Sequence, residues 1–181
     1  MKNNETAVLG GGCFWCTEAI YKRIKGVEKV EPGYAGGHAD NPSYKMICTG
    51  TTGHVEVIRV TYDPKIVSYS DLLEIFWHMH DPTTLNRQGN DIGTQYRSII
   101  LYQNEGQKEI AESSKKDADA SGIFKKPIVT EVEALDIFFS AEDYHFDYFA
   151  NNPNQPYCLA VITPKVQHFL EGYHEDNKEE A

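Results

Sequence analysis

The 181-residue sequence has few cysteines and no long apolar run. Its four cysteines, spread from Cys13 to Cys158, are too few and too scattered for the disulfide framework of a small secreted domain. The residues after Met1 are polar and charged, unlike a signal peptide or a membrane span. We therefore expect a cytoplasmic protein, where a cysteine pair is more often catalytic, redox-active or metal-bound than structural.

Basic residues are also scarce, because 17 Lys and Arg stand against 27 Asp and Glu, giving a net charge of −10. This balance argues against nucleic acid or an anionic membrane as the main partner. Residues 171–181 hold five of the acids and one lysine, and we expect them to form a mobile acidic tail. No repeat or linker divides the chain, so we expect a single domain over residues 1–181, and a monomer.

Strand-like and helix-like segments are mixed along the chain, which favours an α/β or α+β fold. Strands are predicted near residues 6–9, 55–62, 96–102 and 128–135, and helices near 13–24, from Ser70 to Met79, 105–120, from a capping box at Ser140 and Asp143 to Phe149, and after Pro164. The polar stretch 80–95 is longer than a compact domain needs for a connection, which is typical of a functional or disordered loop.

The strongest chemical signal is Gly12-Cys13-Phe14-Trp15-Cys16, which follows a strand-like run and begins a helix. Unpaired N–H groups and the helix dipole favour a thiolate there, so Cys13 is predicted to have a lowered pKa and to act as a nucleophile. The alternative is a small buried cysteine. Cys16, one turn on, gives a C-x-x-C spacing suited to disulfide exchange or to half of a zinc site, although no second ligand pair of this kind follows.

Two acids are candidates for chemistry. Glu56 shares a face of its predicted strand with Ile58 and Val60, so its carboxyl should be desolvated, with a raised pKa, and available as an acid near neutral pH. The alternative is an acid at a strand end that reaches solvent. Asp91 lies in Asn-Asp-Ile-Gly, a sequence that serves equally well as a plain turn.

The remaining thiols and histidines give weaker signals. Cys48 is predicted to be a packed small hydrophobe. Cys158 follows Asn-Pro-Asn-Gln-Pro-Tyr in a segment predicted to be a mobile, exposed loop, which suits a thiol that must travel to a partner sulfur. Single histidines near aromatic helices are more often structural than metal-binding or acid–base groups. We expect this of His78, His80 and His145.

Several spaced blocks form one series along the chain: residues 12–16, 33–37, 41–44, 52–56, 62–64, 80–83, 86–98 and 141–145. In this order they resemble the methionine sulfoxide reductase A family. Phe146 departs from the pattern, since relatives commonly carry glutamine there, and this affects the packing of the local helix. The resemblance implies a single-domain α+β fold, an α/β roll whose mixed sheet has ferredoxin-like elements flanked by helices.

The resemblance also implies an activity and the residues for it. The enzyme would reduce the S epimer of methionine sulfoxide, free or in proteins, with no resident cofactor and with thioredoxin as the external reductant. Cys13 would attack the sulfoxide sulfur and Glu56 would act as the acid, and the sulfenic acid would be resolved by Cys158 or alternatively by Cys16. The implied substrate-binding residues are Phe14, Trp15, Tyr44, Asp91, Tyr96 and His145.

Two other interpretations remain at this point. A thioredoxin-like dithiol would exchange disulfides through Cys13 and Cys16 without touching sulfoxides, and Cys16→Ser would abolish its turnover. A zinc-stabilised binding module would use the same two cysteines with histidines, and purified protein would then contain near-stoichiometric zinc.

Overall fold

The computed structural model describes the backbone of residues 3–177 and the side chains of residues 3–172. The strands are β1 (Glu5–Gly10), β2 (Val27–Ala35), β3 (Val55–Tyr62), β4 (Arg87–Gln88), β5 (Asp91–Ile92), β6 (Ile99–Tyr102), β7 (Glu131–Ala134) and β8 (Phe139–Ser140). The α-helices are α1 (Phe14–Tyr21), α2 (Tyr44–Ile47), α3 (Tyr69–Met79), α4 (Glu105–Ala120), α5 (Tyr148–Asn151) and α6 (Thr163–Asn177).

Six strands form one sheet in the order β7-β6-β1-β3-β2-β8. Neighbours are antiparallel except β6 and β7, which are parallel. β4 and β5 form a separate short hairpin inside the long polar stretch. A mixed sheet with flanking helices confirms the predicted fold class.

The central strand β3 is buried on both faces. Ile58 and Val60 join the larger core, which also includes residues of α1 and α3, while Val55 and Val57 join a smaller core on the other face. Because side chains alternate along a strand, Glu56 points to the same side as Ile58. The predicted strand is confirmed, and so is the prediction that Glu56 shares one of its faces with aliphatic residues.

The turn between β1 and α1 depends on glycine. Gly12 has a φ of +90°, a conformation that residues with a Cβ rarely adopt. A Cβ there would also lie 2.7 Å from Cγ of Gln88. Gln88 is itself fixed, because its side-chain amide exchanges hydrogen bonds of 3.0 and 2.9 Å with the backbone of Asp81. The glycine turn therefore lets the polar loop pack against the start of α1.

Two predicted helix starts are wrong. α3 begins at Tyr69, because Ser68 and Asp71 form a capping box with two 3.0 Å hydrogen bonds. The predicted capping box at Ser140 does not form, because this residue pairs with Gly33 in the sheet.

The segment after β8 breaks the predicted helix into two short pieces. A 3-10 turn covers Asp143–His145, and Asp147, with a φ of +55°, separates it from α5. The backbone N–H of Asp147 donates to Oε2 of the buried Glu18 at 3.2 Å, a long-range contact that the local sequence does not reveal.

The C-terminal helix α6 includes residues 171–177 of the predicted acidic tail. Residues 178–181 lie outside the described residues, so the mobility of the tail stays a prediction, as does the single-domain assignment for the full chain. Within residues 3–177, no helix is long and apolar enough to cross a membrane.

His80 is a structural histidine whose contribution to folding stability should decrease in acid. Its Nδ1–H donates to the carbonyl of Phe76 at 2.6 Å, and its Nε2 accepts from the hydroxyl of Ser98 at 2.8 Å. Burial lowers its pKa from 6.5 to about 4. Between these values the unfolded chain binds a proton that folded His80 does not, so the contribution of His80 to the free energy of unfolding should fall by about 1.4 kcal/mol per pH unit below 6.5.

The measurement is urea unfolding at pH 7 and pH 5, together with an NMR titration of the His80 ring. We expect the ring to stay neutral to about pH 4, and the stability of His80→Gln relative to the parent to rise between pH 7 and pH 5. His78→Gln is the matched control, because His78 is exposed on α3 and should leave the acid-induced loss unchanged. A His80 ring that titrates near pH 6.5 would contradict this account.

Candidate active site

The nucleophile candidate and the acid candidate meet at one end of the sheet. Cys13 is the N-cap of α1, directly after the glycine turn that leaves β1. Glu56 is the second residue of β3. The backbone N–H of Phe14 donates to Oε1 of Glu56 at 3.1 Å. This hydrogen bond ties the carboxyl to the first turn of the helix that carries Cys13.

Glu56 has the environment of an acid that keeps its proton. Its side chain is 1% exposed. Burial, with a smaller contribution from the charge of Asp91, raises its pKa from 4.5 to about 8, although the N–H of Phe14 opposes the shift. The predicted desolvation is confirmed. Since Oε1 accepts from the backbone, Oε2 is the oxygen left to carry the proton.

The predicted lowered pKa of Cys13 is wrong. The side chain is 7% exposed, and burial raises its pKa well above the ordinary value. Hydrogen bonding to Cys16 and the charge of Glu56 act in the same direction, whereas the backbone N–H of Trp15 opposes them. The desolvation of a buried thiolate outweighs the N-terminal N–H groups of an eight-residue helix, so Cys13 rests as a thiol.

Cys16 is buried and in contact with Cys13. The Cys13 thiol donates a hydrogen bond to it, and this bond, with the charge of Lys165, lowers the pKa of Cys16 against the effect of burial. The predicted C-x-x-C contact therefore exists in the folded chain. The two thiols have opposite pKa shifts, with the more acidic one on the second cysteine.

Two tyrosines complete the polar side of the site. Burial raises the pKa values of Tyr44 and Tyr96, and the charge of Glu56 is the next contribution for both. The two hydroxyls therefore lie within electrostatic reach of the same carboxyl and stay protonated donors at neutral pH. Tyr44, Tyr96 and Glu56 therefore each carry a proton near neutral pH.

The apolar side of the site is built around Trp15. Its ring stacks on Tyr148 with centroids 3.8 Å apart and lies 6.5 Å from the ring of Phe14. The indole N–H donates to Nδ1 of His145 at 3.0 Å. His145 is fully buried, so it holds Trp15 in place, and its predicted direct contact with substrate stays a prediction.

Glu142 organises the site although sequence reasoning did not single it out. Its carboxylate accepts from the hydroxyl of Tyr34 at 3.1 Å and from the backbone N–H of Tyr44 at 3.1 Å, and it lies 4.0 Å from Nε2 of His145. It thereby links the polar side to the support of Trp15. Its place in the 141–145 block of the sequence is the one signal that could have identified it.

Asp91 is hydrogen-bonded to Tyr157, a residue that the sequence analysis did not single out. Its Oδ2 accepts a 2.6 Å hydrogen bond from the hydroxyl of Tyr157. That hydroxyl is also within hydrogen-bonding reach of the Cys16 thiol. The hairpin of β4 and β5 is therefore joined to the segment that contains Cys158.

The predicted setting of Cys158 is wrong. It is fully buried and begins a π-helical turn, Cys158–Ile162, that runs directly into α6. Both ends of this turn pack into the larger core, which a sequence rich in Asn and Pro before the turn does not reveal. Burial and the charge of Cys16 raise the pKa of Cys158.

The predicted packing of Cys48 is also wrong. Cys48 is exposed at the C-terminal end of α2, where Ile47 is the buried residue of this four-residue helix. All four cysteines are free thiols. Within the part of the chain that the structure describes, no three His, Cys, Asp or Glu side chains are grouped to hold a metal ion, so the zinc interpretation lacks a ligand set there.

Comparison with known proteins gives a consistent result. Residues 5–178 match the family model described as peptide methionine sulfoxide reductase. A relative named peptide methionine sulfoxide reductase MsrA, from Saccharolobus solfataricus, is 57% identical over 166 residues, which cover 92% of this chain and 93% of the relative.

Solved structures agree with the sequence match. Mxr1 from Saccharomyces cerevisiae in its reduced form aligns with a TM-score of 0.80 and 34% identity, covering 86% of this chain and 89% of Mxr1. Methionine sulfoxide reductase A of Corynebacterium diphtheriae aligns with a TM-score of 0.74 and 36% identity, covering 84% and 77%. The family model matches nearly the whole chain, and relatives that share more than half of its residues carry the same family name, so the chain belongs to the peptide methionine sulfoxide reductase family.

Proposed function

We propose that this protein reduces the S epimer of methionine sulfoxide, free or within proteins, to methionine. The observation that carries the proposal is the pairing of the Cys13 thiol with a protonated Glu56 that is tied to the same helix turn. Sulfoxide reduction needs a nucleophile for the sulfur and a proton source for the oxygen, and this pairing supplies both. The family membership supports the same substrate.

The first half of the reaction transfers the sulfoxide oxygen to the enzyme. The sulfur of Cys13 attacks the sulfoxide sulfur while Oε2–H of Glu56 donates to the oxygen, helped by the hydroxyls of Tyr44 and Tyr96. The new bond between the two sulfurs and the S–O bond of the sulfoxide then break as the oxygen bonds to Cys13, the proton of the Cys13 thiol replaces the one that Glu56 gave up, and methionine leaves. The thiol is thereby oxidised to a sulfenic acid, and the sulfoxide is reduced to a thioether, so the atoms balance without another reactant.

The apolar side of the site would select the substrate. The S-methyl group would lie against Phe14 and Trp15, whose rings attract sulfur and exclude water. With the methyl group on the aromatic side and the oxygen on the Glu56 side, the configuration at sulfur is fixed. This arrangement explains a preference for one epimer.

The second half of the reaction restores the thiol. The sulfenic acid condenses with a second thiol, which forms a disulfide and releases water, and an external dithiol then reduces the disulfide. We infer that Cys158 is the resolving thiol and that Cys16, which contacts Cys13, relays the disulfide to it. Thioredoxin is the proposed dithiol, in a reducing cytoplasm and without a resident cofactor, and yeast Mxr1 has a solved complex with Trx2.

The substrate assignment is tested with the two separate epimers of a methionine sulfoxide and dithiothreitol as reductant. We expect the S epimer to be consumed and the R epimer to remain. Equal consumption of both would contradict the proposed geometry. Reduction of a disulfide substrate with neither epimer consumed would instead support the thioredoxin-like dithiol.

The resolving thiol is tested with Cys158→Ser and Cys16→Ser. After one equivalent of sulfoxide, Cys158→Ser should still release one equivalent of methionine but lose turnover driven by thioredoxin, because its disulfide ends at Cys16 inside the fold. Peptide mapping identifies the bonded pair in each variant. Full thioredoxin-driven activity of Cys158→Ser would assign resolution to Cys16 alone.

A further inference from the structure

The thiols of the proposed cycle are closed off from solvent in the reduced protein. Cys13, Cys16 and Cys158 are 7%, 1% and 0% exposed. A dithiol reductant must place its own sulfur in contact with a disulfide sulfur of the enzyme. Whichever cysteine resolves the sulfenic acid, part of the protein has to open before the disulfide can be reduced.

The side chain of Tyr157 joins the segment that carries Cys158 to the opposite side of the site. Its hydroxyl donates to Oδ2 of Asp91 at 2.6 Å, and its ring lies edge-on to Trp15 at 5.9 Å. The same hydroxyl reaches the Cys16 thiol. Asp91 belongs to the β4–β5 hairpin, so this bond joins the segment carrying Cys158 to the polar loop across the site.

Cys158 and Ile162 pack into the larger core, but most of the residues around Cys158 lie at the surface. Residues 153–156 on one side are exposed, and so are Leu159 and Ala160 on the other. Cys158 starts a π-helical turn, a rare geometry that appears frequently at functional sites. The hydrogen bond from Tyr157 to the carboxylate of Asp91 therefore adds to this core packing in keeping the segment in place.

We propose that Tyr157 is a positioning residue for the resolving half-reaction: its hydrogen bond to Asp91 latches residues 157–162 over the thiols, and release of this latch exposes Cys158. The role of this latch in the resolving half-reaction rests on the proposed function. The latch itself is a property of the reduced protein, so it is measured without any sulfoxide chemistry. Asp91, implied above as a substrate-binding residue, is in this form the acceptor of the latch.

The test measures how often Cys158 becomes accessible. Reduced full-length protein is treated with N-ethylmaleimide, and the initial alkylation rate of each cysteine is followed by peptide mass spectrometry. The exposed Cys48 serves as the internal reference. Alkylation of a buried thiol through local opening follows the open population. Loss of a hydrogen bond to a charged group should raise that population, and the ratio of the Cys158 rate to the Cys48 rate, by about 10- to 100-fold in Tyr157→Phe.

Two further variants keep the test decisive. Asp91→Asn keeps an acceptor but removes its charge, so a smaller acceleration is expected. Tyr144→Phe is the matched control, because its hydroxyl also contacts a carboxylate, that of Glu142 at 3.4 Å, but on an exposed side chain. The proposal is overturned if Tyr157→Phe leaves the ratio of rates unchanged, or if Tyr144→Phe raises it equally.

Discussion

Glu56→Gln should lower kcat/KM for methionine sulfoxide by about 100- to 10,000-fold at neutral pH, the usual contribution of a general acid. Glutamine has the same shape and can still accept the hydrogen bond from Phe14, but its amide has no proton to release to the sulfoxide oxygen. The measurement is steady-state kinetics with dithiothreitol. Glu18→Gln is the matched control, a second buried acid whose pKa burial raises to about 7 and which holds the backbone of Asp147. It should lose far less activity.

The pH dependence gives a second readout of the same group. Since the pKa of Glu56 is about 8, activity should decline above pH 8 as the proton is lost, and Glu56→Gln should lack this decline. An unchanged alkaline limb in the variant would show that another group supplies the proton.

Glu56→Gln should raise the free energy of unfolding at alkaline pH, although it lowers activity. The folded pKa of Glu56 is raised above its unfolded value of 4.5, so its favourable contribution is complete below pH 4.5 and is lost as the pH rises towards 8. Glu56→Gln should therefore be more stable than the parent at pH 8, by about 4 kcal/mol. Urea unfolding at pH 5 and pH 8 measures the difference. A variant that is less stable at pH 8 would contradict the burial of an ionisable acid.

Cys13→Ser should abolish sulfoxide reduction, with a loss of at least about 10,000-fold, as for removal of other enzymatic nucleophiles. A serine hydroxyl is far less nucleophilic than a thiol and cannot form the sulfenic acid on which the second half of the cycle depends. The assay is methionine release with each reductant. Cys48→Ser is the matched control and should keep full activity, because Cys48 is exposed and has no role in the proposed chemistry.

The elements that the sequence predicted well are those with strong local patterns. The bounds predicted for β3 and α4 are those observed, because alternation of apolar residues and a long polar helical stretch are properties of the segment itself. Where a distant strand or side chain decides the structure, prediction failed. Ser140 pairs with Gly33 in the sheet, and a local capping box cannot compete with that.

The candidate site shows the same division. The raised pKa of Glu56 followed from its neighbours on one strand. The raised pKa of Cys13 and the burial of Cys158 depend on contacts between separate parts of the fold. Glu142 and Tyr157 were missed because their partners lie 98 and 66 residues away in the chain, and no local pattern encodes such a pair.

The central claim is that Cys13 takes the oxygen from the sulfoxide. Its most direct test is a variant that keeps this cysteine alone, with Cys16→Ser, Cys48→Ser and Cys158→Ser, mixed with one equivalent of methionine-S-sulfoxide. Without a resolving thiol the reaction should stop after one turnover, with one equivalent of methionine and one added oxygen atom on the Cys13 peptide, trapped by a sulfenic-acid reagent. Release of methionine with Cys13 unmodified, or no methionine from a folded variant, would contradict the account.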